Sequence, residues 1–154
     1  MVGRRPRRPR RARVPVGVSY HAGAGSNVAG VSRIYHIATR ADWEQAQADG
    51  EYTRSSVGKT LAEEGFIHAS QASQVTGTAN KYYRDVPGDL LLLVIDPGLL
   101  RAELRYDDVP GAELPFPHIY GPLNVDAVVE ARPLAPEPDG TFVFNAEPGD
   151  AAAR

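Results

Sequence analysis

Three of the four histidines lie in the middle of short apolar segments, where an apolar residue would be expected. They are His36 in "RIYHIA", His68 in "GFIHAS" and His118 in "PFPHIYG". A buried neutral imidazole loses its hydration unless it finds a hydrogen-bond partner, so its repeated use predicts a site. Three interpretations follow: buried histidines that donate to backbone carbonyls, ligands of a metal ion, or the floor of a binding cleft.

The metal interpretation has the least support from the sequence. Three histidines could hold zinc, but none of them has the short local spacing of a typical zinc motif. The chain has no cysteine, which excludes thiolate ligands and disulfides. We therefore predict a site without metal and keep a histidine metal centre as an alternative.

Length and composition predict one globular domain. The 154 residues suffice for a single core, and the apolar content of 42% is ordinary. The longest apolar run, "LLLLVI" at 90–95, is far shorter than the ~20 residues of a membrane helix. We expect no membrane partner and a cytoplasmic location, and the sequence leaves the oligomeric state open.

Charge is divided unevenly along the chain. Residues 1–33 hold eight of the 17 basic residues and no acid, so the rest holds nine basic residues, all 19 acids and a charge of −10. Nucleic acids are bound through Lys and Arg that displace counterions, so we expect no nucleic-acid partner for the acidic part. The arginine-rich part has the charge to bind polyanions by itself.

The ends of the chain are predicted to be disordered. In residues 1–32, proline, glycine and like charges favour a disordered leader. A mis-called start, a polyanion-binding arm and a targeting peptide are the alternatives, although no continuous apolar region supports the last. Residues 33–145 are expected to form a single domain, and residues 146–154 a disordered tail.

The elements that must position the histidines are mostly short strands. Strands are predicted for the segments "RIYHIA", "FIHAS", "LLLLVID", 103–106, "AVVEARPL" and "TFVFN". Two helices accompany them, which makes the predicted class α+β: a small, mostly antiparallel sheet with two or three short helices.

The two helices have recognisable ends and faces. Thr39 is predicted to cap a helix over 40–49 that ends at Gly50. A second helix is predicted from Ser70 to about Arg84, and residues 51–65 are predicted to be an irregular loop over a cleft. The residues of the second helix expected to face the core share helical spacing: Ala72, Val75, Ala79 and Tyr82.

Several segments resemble the successive motifs of a bacterial family, the domain of unknown function 952. They are "IYHIATRADWEQAQADGEY", "EEGFIHAS", "DLLLLVIDP" and "FPHIYGPLNVDAVV", and they cover roughly residues 33–134. That family resembles the ADP-ribosyltransferase fold, a split and bent sheet that clamps NAD in a cleft. Its nearest likeness is to the tRNA 2′-phosphotransferases and toxin-like transferases.

The resemblance implies roles for residues of the first two motifs. Such transferases place a histidine or an arginine in the first strand, and His36, followed by Thr39, matches this pattern; the histidine typically orients NAD. The phosphotransferases have a second strand of the form apolar, histidine, apolar, serine, which His68 and Ser70 match. An aromatic ring that stacks on the ligand would be Tyr82 or its neighbour, unless that residue packs in the core.

The third motif departs from the transferase pattern. Most of these enzymes place a glutamate there, which stabilises the cation formed when the nicotinamide bond breaks. This chain offers His118 with Tyr120, and Glu113 is the nearest acid, more typical of a solvated loop. Phosphate groups would need arginine or lysine, and the candidates of the acidic part are few: Arg33, Arg54, Lys59, Arg84 and Arg105.

The resulting hypothesis is a nucleotide-binding protein that uses NAD for ADP-ribosyl or 2′-phosphate transfer. His36, His68 and His118 would carry the chemistry, since imidazole titrates near neutral pH. The residues expected to bind the cofactor are Thr39, Ser70, Tyr82 and Tyr120. The main alternative is a module that binds NAD, ADP-ribose or another small ligand without chemistry.

Overall fold

Two three-stranded antiparallel sheets form the framework of residues 32–145, the part of the chain that the computed structural model describes. The strands are β1 (Ile34–Thr39), β2 (Glu51–Tyr52), β3 (Arg54–Ser56), β4 (Lys59–Thr60), β5 (Ile67–His68), β6 (Leu90–Ile95), β7 (Glu103–Asp107), β8 (Phe116–Tyr120), β9 (Leu123–Asn124) and β10 (Val128–Leu134). The helices are α1 (Arg40–Asp49), α2 (Leu61–Glu64) and α3 (Val75–Tyr82). The predicted α+β class, with antiparallel sheets and few short helices, is confirmed.

Some predictions concern the ends of the chain. The leader up to residue 31 and the tail from residue 146 lie outside the described residues. Within residues 32–145, no helix has the length and apolar character needed to cross a membrane.

The first sheet has β6 at its centre, between β1 and β10. All six residues of β6 are buried. One apolar cluster, which contains Leu91 and Leu93, covers one face, and a second cluster, which contains Leu92 and Val94, covers the other. Because both faces are covered, the strand is apolar throughout instead of alternating, as its sequence predicts.

The second sheet has β8 at its centre, between β5 and β7. Ile119 aligns with Ile67, and both side chains are fully buried in the first apolar cluster. His118 aligns with His68 on one side and with Arg105 on the other. Because successive side chains of a strand point to opposite faces, these three polar residues share the face turned away from that core.

The edge of β5 that does not pair with β8 connects the two sheets. We call this edge, residues 66–70 with their partners Tyr35, His36 and Ser55, the β5 seam. The backbones of Tyr35 and Ser70 exchange hydrogen bonds of 2.9 and 2.7 Å, which link β1 to the residues after β5. The second sheet thus continues into the first through a single bridge, and the arrangement is a split sheet instead of one uninterrupted ladder.

Two buried side chains satisfy backbone carbonyls along the β5 seam. Ser55 Oγ donates to the carbonyl of Phe66 at 2.5 Å, and His36 Nδ1 lies 2.5 Å from the carbonyl of His68. A buried carbonyl without a partner is costly, so these side chains replace the strand that would otherwise pair there.

Helix α1 agrees with its prediction at both ends. Thr39 Oγ1 accepts a hydrogen bond of 3.1 Å from the backbone N–H of Asp42, and Gly50 ends the helix at a φ of 86°. A residue with a Cβ is disfavoured at that φ, which explains the glycine. Trp43 and Ala46 supply the buried face of the helix.

Helix α3 is shorter than the sequence predicts. It begins at Val75, after a 3-10 turn over Ala72–Gln74, and the backbone N–H and carbonyl of Ser70 are bonded to β1 instead of to a helix. The buried face consists of Val75, Ala79 and Tyr83, at a spacing of four residues, whereas Tyr82 is 62% exposed. The prediction that Tyr82 faces the core was wrong by one position.

The segment 51–65 is more regular than predicted. It contains β2, β3, β4 and the short helix α2. Thr60 and Glu63 form a reciprocal capping box at the start of α2, a local signal for a helix that the prediction did not use.

The segment "TFVFN" at 141–145 forms no strand, contrary to the prediction. The side chain of Asn80 on α3 binds the backbone of Phe142 instead, donating to its carbonyl and accepting from its N–H, both at 2.8 Å. A side-chain amide thus takes the place of a neighbouring strand.

Candidate functional site

The three histidines predicted from the sequence lie in one chain of contacts. His36 reaches the backbone of His68 at 2.5 Å, and the ring centroids of His68 and His118 are 5.3 Å apart at 87°. Their exposure differs greatly, since His36 is 2% exposed, His118 is 5% exposed and His68 lies at the surface. The three residues therefore lie close together but have different surroundings.

His36 is a fully hydrogen-bonded core histidine. A carbonyl only accepts, so Nδ1 carries the proton that is donated to His68, and Nε2 accepts from the hydroxyl of Tyr52 at 2.8 Å. Desolvation by burial lowers the pKa of His36 to about 4, so the ring is neutral. The interpretation of a buried histidine bonded to a backbone carbonyl describes this residue, and direct contact with a ligand is closed to it in this conformation.

The pH dependence of stability should report the burial of His36. Its pKa falls from 6.5 in the unfolded chain to about 4 in the fold, so only the unfolded state takes up a proton between these values. The contribution of His36 to the free energy of unfolding is therefore fully present above pH 6.5 and is lost as pH falls towards 4. The expected loss is about 2 kcal/mol between pH 7.5 and 5. Urea unfolding over this range measures the loss. A His36→Gln variant, which cannot titrate there, should show a clearly flatter dependence; an equal slope in both proteins would contradict the assignment.

His118 forms a hydrogen-bonded pair with Asp107. His118 Nδ1 lies 2.8 Å from Asp107 Oδ2, and the hydroxyl of Tyr120 donates to the same oxygen. These two hydrogen bonds, that of Tyr120 first, hold the pKa of Asp107 below its usual range, and the same bond to Asp107 raises the pKa of Tyr120. An ionised Asp107 fixes the proton of His118 on Nδ1 and leaves the lone pair of Nε2 for other chemistry.

The ring of Phe66 contacts both His68 and His118. Its ring stacks on His118, with centroids 4.2 Å apart and planes at 23°, and meets His68 edge-on at 4.8 Å. Partial burial and the neighbouring His118 lower the pKa of His68, which favours the neutral form of that ring near physiological pH. We call Phe66, His68, Asp107, His118 and Tyr120 the site cluster.

The cations beside the site cluster already have carboxylate partners. The guanidinium of Arg105 lies 4.6 Å from the ring centroid of Tyr120 and binds Glu103 through two hydrogen bonds of 2.9 and 3.0 Å. Lys59 pairs with Glu64 at 2.9 Å. An anionic ligand would have to compete with these exposed carboxylates for the two charges.

The predicted site residues are thus divided between the cluster and the scaffold. His68, His118 and Tyr120 come together on one face, whereas Thr39 caps α1. The side chain of Ser70 is 6% exposed and donates to Thr78 on α3 at 3.4 Å, and Tyr82 stands exposed at the end of α3. Neither Ser70 nor Tyr82 is a member of the site cluster.

Asp107 and Phe66 are the members of the site cluster that the sequence prediction missed. The signal for Asp107 was present, because Glu103, Arg105 and Asp107 alternate with apolar or aromatic residues along β7 and so share one face. Glu113 lies exposed in the loop before β8, in the setting expected of a solvated acid.

The described residues contain no arrangement of side chains that matches a metal site. Within 32–145, no three histidine or acidic side chains are grouped so that they could hold an ion. Both nitrogens of His36 and the Nδ1 of His118 are occupied by protein partners.

Comparison with known proteins places the chain in a protein family. Residues 37–131 match the family described as protein of unknown function DUF952, and the chain belongs to this family. This confirms the family resemblance of the sequence motifs. No curated protein matches the chain.

Solved structures of one bacterial protein are similar to the chain. The crystal structure of protein CC0527 from Caulobacter crescentus is 34% identical with a TM-score of 0.64, over 73% of this chain and 94% of that one. A double mutant of the same protein is 32% identical with a TM-score of 0.63, over the same shares. Its solution NMR structure is 35% identical with a TM-score of 0.58, over 71% of this chain and 90% of that one.

Proposed function

We propose that this protein is a nucleotide-binding enzyme that cleaves NAD in a reaction of the ADP-ribosyl or 2′-phosphate transfer type, at the exposed face of β5, β8 and β7. The observation that carries the proposal is the pair of Asp107 and His118, joined at 2.8 Å and flanked by His68 and Tyr120. A partly exposed carboxylate, a histidine of fixed tautomer and a second, exposed histidine are the parts of a general acid–base site.

The ionised Asp107 supports the choice of NAD. Loss of nicotinamide leaves positive charge on the ribose, and a fixed carboxylate stabilises such charge more than a mobile one because it needs no reorganisation. The pKa of Asp107 is held low by Tyr120 and His118, so the carboxylate is charged at neutral pH. Asp107 would thus supply the acid that transferases of this type carry on a neighbouring motif and that Glu113 is badly placed to provide.

The split sheet is consistent with the same class of enzyme. The ADP-ribosyltransferase fold resembled by the sequence motifs is a split, bent sheet, and here two three-stranded sheets meet at the β5 seam. In this proposal His36 acts as a positioning residue, because it holds the backbone that carries His68. A likeness of fold does not by itself define an activity, so the proposal rests on the side chains of the site cluster.

A binding module is the second candidate, and the charges beside the site favour it. Arg105 and Lys59 are paired with Glu103 and Glu64, which leaves little free positive charge for a pyrophosphate. A module that recognises the base and ribose of its ligand through aromatic and imidazole contacts would need less positive charge.

Ligand-observed NMR of the full chain with NAD, followed over hours, tests both candidates. We expect NAD to bind and free nicotinamide to accumulate, and His68→Ala to weaken binding by about tenfold, because an exposed ring and its hydrogen bonds are lost. Arg101→Ala is the matched surface control, since Arg101 pairs with Asp126 outside the site cluster. Binding without nicotinamide would indicate the module, and absence of NAD binding would overturn the proposal.

A further inference from the structure

A cavity of about 250 Å³ lies at the end of the first sheet where β6 begins and β10 ends. Its floor is apolar, with Leu90, Leu134 and Phe142 each no more than 8% exposed. These residues belong to the second apolar cluster, on the face of the first sheet opposite to His36. The cavity is therefore separate from the site cluster.

The hydroxyl of Tyr83 is a donor without a partner in this cavity. Tyr83 is 5% exposed and lines the cavity, and no hydrogen bond to its hydroxyl occurs within residues 32–145. Burial raises its pKa to about 12, so it keeps its proton at neutral pH. The hydroxyl faces the cavity and is not sealed in the core, so it is open to water or to a polar group of a ligand.

Positive charge predominates among the groups that line the cavity. Arg40 and Arg84 stand at its rim together with a single acid, Asp89. Arg40 pairs with Asp89 at 3.4 Å, and both of these side chains are exposed. Among the described residues, no carboxylate lies within 4.0 Å of Arg84, and its charge acts on Asp139 only from farther away, which leaves the guanidinium able to bind a ligand.

We propose that this cavity binds a small organic anion, namely a carboxylate with a compact apolar body. The carboxylate would accept from the hydroxyl of Tyr83 and the guanidinium of Arg84, while the body lies on Leu134 and Phe142. The volume equals the liquid share of about eight water molecules, which suits a body of one ring or a short branched chain. The proposal is independent of NAD chemistry at the site cluster.

The test uses the full chain with two probes of equal shape and opposite charge, benzoate and benzylamine. Titrations followed by protein NMR should show saturable binding of benzoate in the millimolar range, with shifts at Gly88 and Leu134, and no saturation with benzylamine. Tyr83→Phe, which removes only the hydroxyl, should weaken benzoate about fivefold, and Arg84→Gln about tenfold. Arg101→Gln and His68→Ala serve as controls and should bind benzoate as the parent does.

The possible results separate this site from the site cluster. Loss of binding in Tyr83→Phe and Arg84→Gln, with His68→Ala unaffected, supports the cavity. The proposal is overturned if benzoate does not saturate, if both probes bind alike, or if only His68→Ala weakens binding. A failure here leaves the test with NAD unaffected, because the two sites share no residue.

Discussion

Replacement of His36 by alanine is expected to lower the free energy of unfolding by about 2–4 kcal/mol, because it leaves a cavity and two unsatisfied polar groups in the core. The carbonyl of His68 and the hydroxyl of Tyr52 would both lose their partners. His36 is 2% exposed and its hydrogen bond with Tyr52 is buried, so the Tyr52 hydroxyl in particular would be left without a partner in the core. The change also removes the side chain that holds the β5 seam.

Urea unfolding of the full chain at pH 7.5 measures this loss, and two variants calibrate it. Tyr52→Phe removes one hydroxyl and keeps the packing, so it should cost about 1 kcal/mol. His68→Ala truncates an exposed ring and should change stability by less than about 0.5 kcal/mol. If His36→Ala is as stable as His68→Ala, the hydrogen bonds of His36 contribute nothing to the fold and its proposed role is wrong.

The strands were predictable wherever burial is uniform or regularly alternating. "LLLLVI" identified β6 because a strand covered on both faces has no polar positions. The cap and stop residues Thr39 and Gly50 located α1 from local chemistry alone. The prediction of a strand from the alternating pattern of "TFVFN" was wrong. The backbone of this segment is bound by Asn80, and a contact across 62 residues leaves no local signal in the sequence.

The candidate site was only partly predictable, for a related reason. The apolar settings of the three histidines indicated that they matter, but they did not distinguish His36, which faces the core, from His68, which faces outward. That difference depends on which face of each strand is covered by the rest of the fold, and only the tertiary structure shows it. Asp107 is 11 residues from His118 in sequence, and the register of β7 on β8 brings the two together.

The β5 seam connects the stability of the fold to the site. Phe66 and His68 supply their carbonyls to Ser55 and His36 on the seam and their side chains to the site cluster. A strand of two residues would be mobile if it paired on one side only, and here buried side chains fix its second edge. We expect substitutions at the seam to disturb the geometry of the site even where no ligand touches them.

The second large effect is expected at His118. If the protein cleaves NAD as proposed, His118→Asn should slow nicotinamide release by about 10²–10⁴-fold, the usual contribution of a general acid or base. Asparagine keeps a donor near the position of Nδ1 for Asp107 but lacks a basic nitrogen. Affinity for NAD should stay within about threefold, since the change removes chemistry and little contact area.

Asp107→Asn tests whether the two residues act as one unit. An amide at this position no longer fixes the tautomer of His118 and no longer supplies charge, so a loss of about 10²-fold or more is expected. The double variant should then be little worse than His118→Asn alone, because groups that act together do not lose activity additively. Single-turnover release of nicotinamide, with urea unfolding to confirm that each variant is folded, gives the comparison. Additive losses would assign Asp107 a separate role at the ribose, and parental rates in His118→Asn would remove His118 from the mechanism.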